Sequence, residues 1–212
     1  MLAFSFFNNM EWTSVPMMLS KDAVFFGTEI RIREFELLFL RHIEAFPRTA
    51  SIEAMGAALI QSDFPGDDVR AFVKDVCGWG NYSGIAGRVL KDNPIDTICD
   101  TFRAAALDLQ VDPTHCAGAL AKVNRIAGLG QPAFASKHLR FLRPEFCPVF
   151  DSLLYEALPY SYDTNGYGRF AVDCAILAAR LQKSEVVNPR RRPKGVWFAA
   201  DVEAAIYAYI AL

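Results

Sequence analysis

The stretch TEIRIREFELLFLRHIEAF, residues 28–46, sets Ile32, Phe35, Phe39, Ile43 and Phe46 at i, i+3, i+4 spacing and stops at Pro47. That spacing puts one apolar stripe on one side of a helix, and the stripe must be covered by other helices or a sheet. The same period recurs along the chain. SIEAMGAALIQ follows with Ser51 as an expected N-cap, and GDDVRAFVKDVCGW opens on Asp67 and Asp68, where the helix dipole favours carboxylates. PIDTICDTFRAAALDL starts after Asn93 at Pro94. DPTHCAGALAKVNRIAG has Asp112 as its expected N-cap, Pro113 at the first helical position and Gly128 as the stop. RFAVDCAILAARLQ and FAADVEAAIYAYIAL supply helical patterns at the C-terminal end. Only SEVV and KGVWF resemble extended runs. The expectation is an all-α fold of about ten helices in a single domain over residues 1–212, with an N-terminal arm over 1–28 and a lobe boundary near residue 112.

Composition agrees with a chain that buries a large core. Of 212 residues 52% are hydrophobic and 17 are Phe, enough apolar side chain to offset the entropy of ordering the backbone. No run of 18 apolar residues occurs, and the apolar start MLAFSFFNNMEW lacks a basic flank, the first lysine being Lys21. Neither a membrane span nor a signal peptide is therefore expected. Cys77, Cys99, Cys116, Cys147 and Cys174 are scattered and never form C-x-x-C, which reads as reduced, buried thiols of a cytoplasmic protein. His42, His115 and His138 have no metal-ligand spacing, so no metal or other cofactor is expected.

Net charge is −2 overall but uneven along the chain. Residues 1–120 hold 10 Lys+Arg against 16 Asp+Glu, and residues 121–212 hold 12 against 8. The positive excess gathers at Lys122, Arg125, Lys137, Arg140 and Arg143 and again at Arg190, Arg191, Arg192 and Lys194. Such a gradient suits a polyanion docked on one face.

IAGLGQP, residues 126–132, is a turn short enough to join two helices into a hairpin. Gly128 and Gly130 permit positive φ, and exposed amides around Gln131 can cradle one phosphate without reading sequence. Downstream, Ala135, Leu139 and Leu142 form an apolar face, with Lys137 and Arg140 on the other side. Asp151 then stands where a helix start would fix a carboxylate.

These segments resemble the helix-hairpin-helix DNA glycosylases, and among them bacterial proteins with the 8-oxoguanine DNA glycosylase fold. IAGLGQP matches the hairpin, ASKHLRFLRPEFCPVFDS the helix, loop and aspartate, and VCGWGNYSGIAGRVLKDNP the segment before them; the detailed match covers residues 74–155. The resemblance implies two helical lobes with a cleft between them. It also implies a hairpin and aspartate segment over 112–158 and a DNA partner, as modified-base duplex or single strand. Asp151 would stabilise the sugar cation as a modified or damaged base leaves. In bifunctional relatives a lysine attacks the sugar carbon and later nicks the strand. The usual lysine position is Pro132 here, and Lys137 lies five residues further on. Two readings follow: Lys137 enters the cleft from an offset hairpin, or Asp151 acts without a Schiff base.

A flipped base needs an aromatic pocket, for which Trp79, Tyr82, Phe146 and Phe150 are candidates. Phosphates would meet Gly128, Gly130, Gln131, Arg140, Arg143, Arg190, Arg191, Arg192 and Lys194. The function implied is base excision in repair or anti-phage defence. The alternatives are a non-catalytic nucleic-acid-binding module that kept this fold and a helical protein-interaction domain.

Overall fold

The computed structural model describes residues 30–129, 132–190, 192 and 195–212. The arm over 1–28, Gly130, Gln131, Arg191 and Lys194 lie outside the described residues. Ten α-helices follow a short 3₁₀ turn at Ile32–Glu34, and there is no strand among the described residues. They are α1 (Phe35–Ala45), α2 (Thr49–Gln61), α3 (Gly66–Trp79), α4 (Ser83–Asp92) and α5 (Ile95–Val111). The rest are α6 (Cys116–Val123), α7 (Pro132–Leu142), α8 (Ser152–Ala157), α9 (Thr164–Lys183) and α10 (Ala199–Ala211). The fold is all-α.

α7 lies at the centre, packed against α2, α3, α5 and α6, while α10 lies along α1 and touches α8 and α9. One continuous apolar cluster runs through all of these. At the α2–α7 crossing a Cβ on Gly56 would stand 2.0 Å from the Phe141 carbonyl oxygen, so the two backbones approach where no side chain fits. No helix among the described residues is long and apolar enough to cross a membrane. All five cysteines are buried and unbridged.

Some helix ends differ from the sequence reading. Asp112 does not cap α6: its Oδ1 accepts from Thr114 N at 2.9 Å and from Thr114 Oγ1, closing a turn before a helix that begins only at Cys116. Side-chain bonds of this kind compete with helix hydrogen bonding. α2 starts at Thr49, and Ser51 bonds back to the Arg48 carbonyl from inside it. SEVV and KGVWF do face one another, through Trp197 Nε1 to Val186 O and Asn188 Nδ2 to Val196 O, but side chains make these links and no ladder forms.

The larger correction concerns the arginines. Arg140, Arg190 and Arg192 do not line a phosphate-facing surface. Arg140 is wholly buried, and its Nη1 lies 2.6 Å from Glu53 Oε1. Arg190 and Arg192 reach the same oxygen at 2.5 and 3.2 Å, and Arg192 also forks onto both oxygens of buried Asp201 at 2.6 Å. Arg143 donates to the Ala106 carbonyl and to Gln110 on α5. The reason is that α7 is packed against four helices, so Arg140, on its supposedly open face, meets Glu53 on α2 instead of solvent. Arg190 and Arg192, sharing Glu53 with Arg140, tie their own segment to the body of the fold.

Burial opposes the charge on Glu53, but Arg140, Arg192 and Arg190 outweigh it and hold its carboxyl down at about 2. An unfolded glutamate titrates near 4.3, so this stabilisation is complete above that pH and is lost as pH falls toward about 2. Glu53→Gln leaves three buried cations short of a counter-charge and is expected to cost about 3–5 kcal/mol. In urea titrations its penalty should be full at pH 7 and shrink toward pH 2; a penalty independent of pH would contradict this account.

Candidate functional site

Five segments meet at a small cleft of about 50 Å³: the end of α1, the end of α3, the middle of α7, the loop before α8, and α10. Lys137 and Asp151 share its floor. Lys137 Nζ stands 3.3 Å from Asp151 Oδ2, and both side chains are largely shielded, at 10% and 17% exposure. Asp151 caps α8, its Oδ1 accepting from Leu154 N at 3.4 Å, so the helix start fixes one oxygen and leaves the other to the lysine. The Lys137 ammonium also lies 5.0 Å from the centre of the Phe134 ring.

The walls are aromatic, but they are not the set read from sequence. Trp79 lines the cleft together with Phe46 and Tyr207. Phe46 lies 5.2 Å from Trp79 and 5.7 Å from Tyr207 between ring centres, and it stacks on His42 at 4.6 Å. Phe150 is fully buried among Tyr160, Tyr162, Tyr167 and Phe170, and Phe146 belongs to the core. Tyr82 is exposed, its ring edge against Phe134. A β-branched or aromatic residue in a Pro-bounded loop gives no period from which to read its direction. Phe146 and Phe150 therefore looked equivalent to Trp79.

Sequence reasoning missed seven of the lining residues, among them His42, Phe46, Glu203 and Tyr207. The available signal was chemical. Glu203 and Tyr207 are one turn apart on a helix that is otherwise almost all Ala, Ile and Val. His42 is buried and burial, reinforced by Arg140 and Arg190, pushes its imidazole down to about 3, so it is neutral at pH 7. Its Nδ1 has no partner among the described residues, an unmet hydrogen-bonding group in a cleft wall. Glu203 is buried and receives Val149 N–H on Oε2 at 3.3 Å. Burial pushes its carboxyl up to about 8, with Arg140 pulling the other way.

The turn between α6 and α7 is pinned from behind. Asn93 donates from Nδ2 to Ala127 O at 2.9 Å and accepts from Ala127 N at 3.0 Å, as a strand neighbour would. Leu129 N bonds to Ile126 O, so these two amides are already used inside the turn. Gly128 has φ +86°, and a Cβ there would lie 3.2 Å from Val89 Cγ2 on α4. α4 and the turn together expose Arg88, Lys91 and Arg125. No cluster of His, Cys, Asp and Glu among the described residues could hold a metal ion.

Gly128→Ala is expected to destabilise the fold by about 1–2 kcal/mol, because an L side chain resists this left-handed backbone and meets Val89. Chemical denaturation measures it, and an unchanged midpoint would show that the turn does not need this conformation.

With this geometry in hand, comparison with known proteins adds no assignment: no protein-family model, no curated protein and no solved structure matches the chain.

Proposed function

We propose that this protein is a DNA glycosylase of the helix-hairpin-helix type, with the α6–α7 pair as the hairpin and the cleft between two lobes as the base pocket. It would excise a modified or damaged purine of the 8-oxoguanine class. The observation that carries the reading is the Lys137–Asp151 pair, an amine and a carboxylate 3.3 Å apart at the floor of an aromatic cleft.

N-glycosidic cleavage develops positive charge on the sugar, and a fixed carboxylate beside that carbon lowers the barrier. Asp151 is held for that task by the α8 amide. Lys137 is the nucleophile: in its neutral form the amine attacks C1′, and the adduct opens to a Schiff base as a proton passes from nitrogen to the ring oxygen. Phe46, Trp79 and Tyr207 supply faces against which a flipped base can stack. His42 offers a neutral nitrogen to the edge of that base. With Arg140, Arg190 and Arg192 engaged internally, backbone phosphates meet Arg88, Lys91 and Arg125 beside the turn. Repair of the cell's own DNA and action on phage DNA would use the same chemistry.

Borohydride trapping on a panel of duplexes with oxidised and alkylated purines tests the chemistry. A covalent adduct should form with the wild type and vanish in Lys137→Ala. Asp151→Asn should slow excision by about 10²–10³-fold, the range for removing one charge-stabilising group. No adduct and no alkali-sensitive site on any duplex, with DNA binding intact, would instead favour a non-catalytic nucleic-acid-binding module. The docking face has a separate test. Replacing Arg88, Lys91 and Arg125 together by Ala should flatten the salt dependence of duplex binding, with a change in log–log slope of about 3 if each meets one phosphate. An unchanged slope would move the DNA to another face.

A further inference from the structure

The cleft holds a second carboxyl group that the proposed chemistry leaves without a task. Glu203 sits on α10 opposite the loop that carries Asp151, in the same cleft as Lys137 and the aromatic wall. Its Oε2 is held by the Val149 amide, two residues before Asp151, so its position is tied to that of the aspartate. The two acids differ in their surroundings. Asp151 has a cation and a helix amide as partners, whereas Glu203 is buried on an apolar helix with a single amide. Two carboxyls in one site whose environments separate their protonation states divide the labour of acid and anion.

We infer that Glu203 is the catalytic acid of this cleft, delivering a proton to a ring nitrogen of the departing base. The inference rests on the glycosylase reading above. In the step, the Lys137 nitrogen forms a bond to C1′ as the bond from C1′ to the base breaks. The electron pair of that bond goes to the base, and the Glu203 proton joins the base, which leaves neutral. Glu203 ends as a carboxylate, the Lys137 adduct carries the positive charge, and the acid is recharged from water.

The groups facing Glu203 fit this role. Lys137 and Arg140 face it from α7, Asp151 from the loop before α8, His42 from α1, Cys174 from α9 and Tyr207 from its own helix. Burial, with Asp151 adding to it and the two cations opposing it, leaves the carboxyl at about 8 and therefore protonated at neutral pH.

The test compares two substrates for one variant: the panel duplex that the wild type cuts, and a duplex with a preformed abasic site, which has no base to protonate. Glu203→Gln keeps an acceptor for the Val149 amide but has no proton to give. It should lower base excision by about 10²–10⁴-fold, the usual worth of a general acid. Borohydride trapping on the abasic duplex should stay within a few-fold of wild type, which also reports that the variant is folded.

Excision within a few-fold of wild type would overturn the inference and leave the glycosylase reading standing. Equal loss on both substrates would make Glu203 a support of the site and not its acid. If the variant does not fold, the wild type still decides. Excision should fall tenfold per pH unit above about pH 8 as the acid is lost, while abasic trapping does not fall. Failure of the wild type on every substrate would overturn the glycosylase reading itself, and this inference with it.

Discussion

Burying a helix that carries a lysine, an arginine and a histidine obliges the rest of the molecule to answer each of them. α7 is such a helix, and each of its polar groups has a different answer. His138 gives up its charge: burial drives its imidazole down to about 4, and Nδ1–H donates to the Phe134 carbonyl at 2.7 Å. Arg140 is wholly buried beside an anion, which Glu53 provides from α2. Lys137 lies along the cleft, and it meets Asp151 there. The neighbours of α7 are arranged as much by these charges as by the apolar core.

Glu53 shows how far the consequence spreads. One oxygen serves Arg140 from the central helix and Arg190 and Arg192 from the segment before α10. A lone buried cation would cost several kcal/mol, whereas a shared carboxylate converts the cost into a tie between parts of the chain some 140 residues apart in sequence. That tie sets the start of α10, since Asp201 accepts from Arg192, from Asn188 and from the Phe198 amide. Two residues further on, the same helix turns Glu203 into the cleft. The ion cluster is thus a positioning device for the cleft wall rather than a surface for a polyanion.

The helical period made the architecture legible before any coordinates. Apolar stripes such as Phe35, Phe39 and Ile43 marked helices correctly because partial burial leaves a period to read. Where burial is complete the period vanishes, and for that reason the charged side of α7 was misread as open. Asp151 could be singled out because a carboxylate at a helix start has a local cause. Glu203 and Tyr207 had only their oddness on an apolar helix to mark them, and with His42 they reach the cleft only through the packing of α10 on α1. The arginine run at 190–192 misled for the opposite reason: local charge density says nothing about a counter-charge on a distant helix.

The spacing of Lys137 from the turn follows from the same packing. A lysine at residue 132 would sit at the first position of α7, beside the turn itself. Lys137 is five residues deeper, about 7.5 Å along the axis and rotated by well over a full turn. That shift would carry the amine away from an acid anchored near the turn. Asp151 is brought to it: Phe150 N donates to Ser136 Oγ at 2.9 Å, and Asp151 arrives level with the next residue of α7. Ser136 therefore fixes the register between loop and helix, and Lys137 and Asp151 meet because its hydroxyl holds the loop one residue away. The relation between amine and carboxylate is thus set by the Ser136 bond and the α8 cap together, not by their distance from the turn.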